Sequence, residues 1–465
     1  MHNQNSQRIA NRDRLVSNAL FAEDKKAREI CVRLLKKALE TVDPRKIIKS
    51  TVKVVDDAIQ IQGQTFNLAP TGRILVVGAG KASGAMAEAL EETLGDRIDR
   101  GVVNIPRNTK SLYNTERIEL NEAGHPTPDH AGELGTQRML AILSDLRPDD
   151  VVISLISGGG SALMPLPAEG IRLRDKVKLT RMLLLSGATI DEINVVRKHI
   201  SAIKGGRLAG KAKPAKVISL IVSDVVDDPI DAIASGPTAP DRSTYRDAKR
   251  ILEAYNLWKR CPEAIRRHIQ DGIEGKVKET PKPGDPMFGR VFNFIVANNK
   301  VALDAMTREA EKMNLESLVI SSAIEGEARH LGTFLAGIAQ EIETNNRPVK
   351  RPGVLVAGGE PTVMVLGKGV GGRNQEAMLS AARKIAGLRG IVLASIGTDG
   401  VDGATDAAGA IIDGQTVRRA EKMNLHVEEY LRNNDSYNFF KPIGDLIFTG
   451  PTGTNVNDIM LIVAV

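Results

Sequence analysis

The sequence predicts an α/β fold in two domains, the first built on a doubly wound parallel sheet. Three observations carry that prediction. Apolar runs of strand length alternate with amphipathic helical patterns along the chain. The strongest run, Val151 to Ile156, is apolar at nearly every position, as a strand covered on both faces requires, and it ends in three glycines. A stretch from about 273 to 290, containing EGKVKETPKPGDPMFG, has prolines, glycines and charges but no apolar period, and reads as an interdomain linker.

The elements follow in order. Residues 1–20 set Arg8, Arg12 and Arg14 against Asp13 alone and read as a frayed tail rather than a targeting segment. From 22 to about 42, Ile30, Val32, Leu34, Leu35 and Leu39 mark one face of an amphipathic helix, which Pro44 ends. Strands are expected at 73–77, 101–105, 151–156 and 217–222, with helices between them. Thr189 to Glu192 (TIDE) is a capping box; its helix is expected to run to Gly205 and Gly206 and to deliver Lys204 and Arg207 at its end. This first domain spans 22–275. The second spans 288–465, with strands expected at 291–297, 316–321, 353–357 and 391–396; the last strand, 459–464, could complete either sheet.

Composition narrows the function class. Apolar and charged fractions of 42% and 26% are ordinary for a globular chain, and 3% aromatic residues is poor material for stacking nucleic-acid bases. The net charge of +6 is spread without a dense basic tract, which favours small anionic substrates over nucleic acid. Cys31 and Cys261 stand alone, as in a reducing compartment, and no run has the length of a membrane span, so a cytoplasmic location is expected.

The chemistry concentrates in glycine-rich turns. Ser157, Gly158, Gly159, Gly160 and Ser161 follow the strongest strand, where backbone amides and a helix start would favour an anion. GAGKASG places Gly78, Gly80 and Gly84 after a strand, but the third glycine falls one place late for a dinucleotide fingerprint, with Ser83 in its slot. The acid expected at the end of the next strand is missing as well, since Asn104 and Pro106 stand there. Lys81 sits on that turn, where an ammonium could reach a phosphate or a developing oxyanion. GKGVGGRNQEAML, with four glycines, reads as a mobile loop that presents Arg373, whose planar fork suits carboxylate or phosphate, and Glu360 follows the strand before it. Asp224 closely follows an apolar strand, with Asp227 and Asp228 beyond it; Asp399, Asp402 and Asp406 repeat the arrangement after the strand ending at Ile396. Carboxylates at strand ends suit magnesium or general-base work, though some serve turns. For His125, in GHPTPDH, a turn role and a substrate contact both stay open.

Taken together, GAGKASG, GHPTPD, SLISGGGSALMP, GATIDEINVVRKHISAIKGGRLA, SLIVSDVVDDPIDAIASGPT, GGEPTV, GGRNQE, GTDGVDGATDAAGA and TGPTGTNVNDI closely resemble glycerate 2-kinases of the MOFRL family, from about residue 25 to the C-terminus. The resemblance implies a larger N-terminal Rossmann-like domain, a smaller C-terminal α/β domain and an active site in the cleft between them. It also implies transfer of a phosphoryl group from ATP, with Mg2+, to the 2-hydroxyl of D-glycerate. The family's motif lysine falls on Lys81, its motif arginine on Arg373, its phosphate loop on Ser157 to Ser161 and its SDV aspartate on Asp224. Pro361 stands where many relatives have threonine.

The expected roles follow. Arg373 and neighbouring amides hold glycerate, with Asn374, Glu360 and Lys204 in the substrate and phosphate shell; Lys81 neutralises the transferred group. Asp224 is the candidate base or metal partner, and Asp399 a second candidate metal ligand. The linker and the glycine loop are the expected hinges of closure, and a homodimer is the candidate assembly. Two rival readings are an NAD(P)H-dependent hydroxypyruvate reductase, against which the spoiled fingerprint counts, and a non-catalytic sugar-acid sensor, which would not need Lys81, Asp224 and Arg373 together.

Overall fold

The computed structural model describes residues 9–465, which form two compact units. The first is continuous, Pro44–Val296; the second joins the chain up to Asp43 with Ala297–Val465. The reading of Arg8 lies outside the described residues.

In the first unit a three-stranded antiparallel sheet, β1 (Val52–Val55), β2 (Ala58–Ile61) and β3 (Gln64–Asn67), precedes the main sheet. The main sheet comprises β4 (Ile74–Ala79), β5 (Ile98–Pro106), β6 (Ile118–Ala123), β7 (Val151–Ile156), β8 (Lys216–Val222) and β9 (Val291–Ala297). Its order is β6-β5-β4-β7-β8-β9, with β4 to β8 parallel to one another. This is the doubly wound pattern: the chain works outward from β4 to β6, then restarts on the other side with β7. The order reverses between β4 and β7, both buried along their whole length, and a crevice opens at the carboxyl ends of such a strand pair. Each large apolar side chain buried there contributes about 1.5–3 kcal/mol.

The second unit carries a mixed sheet of β10 (Glu316–Val319), β11 (Gly353–Gly359), β12 (Ile391–Gly397), β13 (Gly409–Asp413), β14 (Leu446–Ile447) and β15 (Asp458–Ala464), in the order β10-β11-β15-β12-β13-β14. β15, apolar after its opening Asp458, runs antiparallel between β11 and β12, so it completes the second sheet.

Four expectations change. The run 291–297 is not the first strand of the second domain but the edge of the first sheet, beside β8. The helix Ala22–Thr41 forms as its period predicts, yet belongs to the second unit, where it packs on the helix Asn299–Glu311. Its buried Arg28 explains why: the guanidinium lies 2.6 Å from Asp413 and 3.0 Å from Asp445, both fully buried. The supposed frayed tail is docked there too, through Ala10 N–H to the Phe448 carbonyl and Asn18 to the Ile443 carbonyl and Asp445. Finally, the 273–290 stretch is tied to the first unit. Glu279 accepts the Tyr245 amide at 2.8 Å and lies 3.2 Å from His199, Thr280 donates to Asp241, and Asp241 N–H donates to the Pro281 carbonyl. Polar composition marked an irregular segment, but its polar groups bond to the fold rather than to water. No helix among the described residues is long and apolar enough to cross a membrane.

Candidate active site

At the reversal point of the first sheet, two turns are stitched together. Lys81 N–H donates to the Gly158 carbonyl at 2.8 Å, and Ala82 N–H donates to Ser157 Oγ at 3.0 Å. Ser157 is 1% exposed and also meets Ser83 Oγ at 3.1 Å, so it braces the start of the helix Ser83–Leu94 rather than facing a ligand. The glycines after it are fixed by what approaches them. A Cβ on Gly158 would lie 1.9 Å from an Asp224 carboxylate oxygen, and one on Gly159, whose φ is +81°, would lie 2.9 Å from the His125 ring and 3.4 Å from Lys81 Cγ. The Ser157–Ser161 turn therefore gathers Asp224 from the end of β8, His125 from beyond β6 and Lys81 from the end of β4. His125 is pushed below the ordinary histidine range, first by its packing and then by the Lys81 charge.

Behind this turn, Ser161 Oγ and Ser235 Oγ are 2.7 Å apart, and Ser235 donates to Asn194 Oδ1 at 3.0 Å. Lys204, fully buried, donates to the Ser161 carbonyl at 3.0 Å. The TIDE capping box forms as expected, but its helix ends at His199, and the chain reaches Lys204 through a turn. Asn104, in the place of a ribose-binding acid, is fully buried and donates to the Gly132 and Leu163 carbonyls. That side chain is committed to holding the loops, which removes the dinucleotide reading from the first turn.

The second unit has its own cluster. Arg373 opens the helix Arg373–Lys384 and grips Asp458 with two bonds, at 2.5 and 3.0 Å, while reaching Glu360 at 3.0 Å. Asp458 is paired in register with Gly359 on one side and Gly397 on the other, so the carboxylate projects among the loops that carry Glu360 and Asp399. Burial pushes the Asp458 carboxyl up to about 7, with Arg373 pulling the other way. Asp458 was missed from the sequence; an acid opening an otherwise apolar strand was the signal available.

Two expected site residues are brought close but fully engaged. Asn374 is 1% exposed, donates to Asp402 and accepts from Ser395 Oγ. Asp402 caps the same helix, taking the Asn374 and Gln375 amides at 3.1 and 2.8 Å, and burial raises its pKa against those bonds. Asp399 accepts the Val401 amide within its own turn. The glycine loop, whose composition suggests mobility, is tied down by hydrogen bonds. The amides of Leu366 and Gly367 donate to Asn434, that of Lys368 to Asn433 and that of Val370 to Asp435. A Cβ on Gly367 would fall 2.2 Å from the Asn433 carbonyl, so the residue is glycine for closeness rather than for freedom.

Among the described residues, no three His, Cys, Asp or Glu side chains gather into a metal centre, and Asp224 and Asp399 lie in different units. A cavity of about 1130 Å³, lined mainly by residues 9–14 and 29–36, holds none of these candidate residues.

Comparison with known proteins places this arrangement. Residues 30–270 match a domain family described only as of unknown function, DUF4147, and residues 353–458 match the MOFRL family. A glycerate 2-kinase from Pyrococcus horikoshii is 47% identical over 93% of this chain and 96% of its own length. The chain belongs to the MOFRL family of glycerate kinases. A crystal structure of glycerate kinase from Thermotoga maritima superposes with a TM-score of 0.84 at 40% identity, covering 94% of this chain and 99% of the other. An Agrobacterium vitis relative, 41% identical over 94% of this chain and 95% of its own length, carries a provisional hydroxypyruvate reductase name. The MOFRL match covers Arg373, Asp402 and Asp458, while the other match covers Lys81, Ser157–Ser161 and Asp224.

Proposed function

We propose that this chain is a glycerate 2-kinase that transfers a phosphoryl group from ATP to the 2-hydroxyl of D-glycerate, giving 2-phosphoglycerate. The observation that carries the reading is the contact of Lys81, Asp224 and the Ser157–Ser161 turn at the reversal point of the sheet, in a chain of this family. Phosphoryl transfer asks a protein mainly for position and for positive charge. The backbone of the glycine turn cradles phosphate, and Lys81 offsets the charge on the group in flight. Asp224, touching the same turn, orients the 2-hydroxyl and accepts its proton. Arg373, its orientation fixed by Asp458 and Glu360, is assigned to the glycerate carboxylate.

Magnesium supplies charge neutralisation on the phosphates when bound. Asp224 would hold it, since this ion commonly takes one or two carboxylates and completes its shell with water and phosphate oxygens. Asp399, already committed to the Val401 amide, is the secondary candidate. The expected location is cytoplasmic.

A coupled ATP assay with D-glycerate, with the product isomer read by NMR, tests the proposal. Formation of 2-phosphoglycerate is expected. Formation of the 3-phosphate, or oxidation of NAD(P)H with hydroxypyruvate in place of ATP consumption, would overturn it.

A further inference from the structure

One residue at the reversal point of the first sheet has no part in the reaction described above. His125 follows the end of β6, and its ring packs against the glycine turn: a Cβ on Gly159 would lie 2.9 Å from both His125 Cδ2 and His125 Nε2. The same point is 3.4 Å from Lys81 Cγ, so the Nε2 edge of the ring and the Lys81 stem meet the turn at one residue, next to the Gly158 that Asp224 touches. His125 is nonetheless exposed, and neither ring nitrogen has a hydrogen bond or ion pair among the described residues. His199 shows the contrast, since its two nitrogens are taken by the Val195 carbonyl and Glu279, at 2.8 and 3.2 Å.

The loop that carries this ring holds it in place. Pro126 and Pro128 each fix one backbone angle. A Cβ on Gly124 would lie 2.6 Å from the Thr127 carbonyl oxygen and 2.9 Å from the Asp129 carboxylate, so the loop closes tightly on itself. Asp129 in turn accepts the Gly132 amide at 2.9 Å, at the start of the helix His130–Ile142, and pairs with Arg107. None of these bonds uses the His125 side chain. A turn role would need one, which leaves the ligand contact of the two readings open in the sequence.

D-Glycerate presents a carboxylate and two hydroxyls. The carboxylate and the transferred phosphoryl group are charged and call for cations, the roles given to Arg373 and Lys81, and Asp224 takes the 2-hydroxyl; the 3-hydroxyl is left over. A hydroxyl both donates and accepts, and a neutral imidazole does the same, one through each nitrogen. Packing and the Lys81 charge favour that neutral form of His125. We infer that His125 hydrogen-bonds the 3-hydroxyl of the acceptor substrate and so selects D-glycerate over 2-hydroxy acids that lack this group. Holding the primary hydroxyl also keeps it from competing with the 2-hydroxyl for the phosphoryl group. The inference rests on the kinase reading for the identity of the substrate and adds a specificity-determining residue to it.

D-Lactate, which keeps the carboxylate and the 2-hydroxyl but has a methyl group in place of the hydroxymethyl, tests it. Calorimetric titration of the full chain with D-glycerate and with D-lactate compares wild type with His125→Leu and His125→Gln, and the coupled ATP assay is run on the same samples. Wild type is expected to bind D-glycerate about ten-fold or more tightly than D-lactate, the effect of one hydrogen bond whose partner is otherwise left unpaired. His125→Leu is expected to bring that ratio below about two by weakening D-glycerate alone, and His125→Gln, whose amide can donate and accept, to restore most of it. Equal affinity of wild type for the two acids, no binding of either, a ratio untouched by His125→Leu, or a loss shared equally by both acids overturns the inference. His125→Ala replaces the Leu variant if that fails to fold. Turnover of D-glycerate with an unchanged ratio sinks this assignment and leaves the kinase standing; a His125-dependent ratio without ATP consumption does the reverse.

Discussion

Arg373 and Lys81 are both cations at strand ends, yet their removal should have different consequences. Asp458 is 1% exposed and depends on the Arg373 fork, so Arg373→Ala strands a buried carboxylate. We expect turnover to fall about 100-fold and stability by about 3 kcal/mol. The sign of the pH effect follows from Asp458, whose folded pKa is raised to about 7 and whose protonated form needs no partner. The stability deficit should therefore shrink as pH falls below about 7 and be largest above it, measured by urea unfolding at about pH 5.5 and about pH 8. Lys81→Ala should cost a similar factor in turnover while moving the melting temperature by no more than about 2 °C, since its carbon chain is only partly buried. An equal loss of stability in both variants would contradict this. Gly158→Ala should cost about 1–3 kcal/mol and most of the activity, because its Cβ would meet the Asp224 carboxylate. The sequence made Lys81, Asp224 and Arg373 visible because a charge beside glycine at the end of an apolar run is locally odd. It hid Asp458, whose partner is 85 residues away, and it hid the bracing duties of Ser157 and Asn374, which only packing assigns.

At the scale of elements, apolar period located the main strands well. It overlooked β1, β2, β3, β6, β13 and β14, which are short or interrupted by polar residues, and it could not tell which sheet an edge run such as 291–297 joins. The 273–290 segment shows why composition misleads about mobility. Burial works against its carboxylate, yet bonds from His199, the Tyr245 amide and Lys282 together hold Glu279 down at about 2. A lowered folded pKa contributes stability that is present above the unfolded value near 4.3 and is lost as pH falls toward about 2. Glu279→Gln should therefore destabilise the chain at neutral pH by about 1–2 kcal/mol, allowing for its partial exposure, and flatten the acid limb of the melting-temperature curve. A variant whose acid limb matches wild type would show that the segment is held by something else.

For the whole molecule, the decisive fact is that the second unit is made from both ends of the chain, which the sequence could not reveal because the helix Ala22–Thr41 is amphipathic whichever partner it packs on. Arg28→Met leaves Asp413 and Asp445 with Arg419 alone, so we expect a loss of about 3–5 kcal/mol, read as protease sensitivity confined to the second unit. A chain ending at Asn457 should lose the second unit altogether while fragments of Pro44–Val296 stay protected in limited proteolysis; uniform digestion would refute this. The position of β15 has a consequence for synthesis. Translation delivers the first unit in one continuous stretch, so it can close while the ribosome is still working. The second unit begins with residues made before any of the first and is completed only by β15, which must slide between β11 and β12. Until β15 is made, the Arg373 cluster lacks Asp458, and the nascent protein carries two half-sheets with open edges, the interval in which it is most exposed to aggregation and to chaperones.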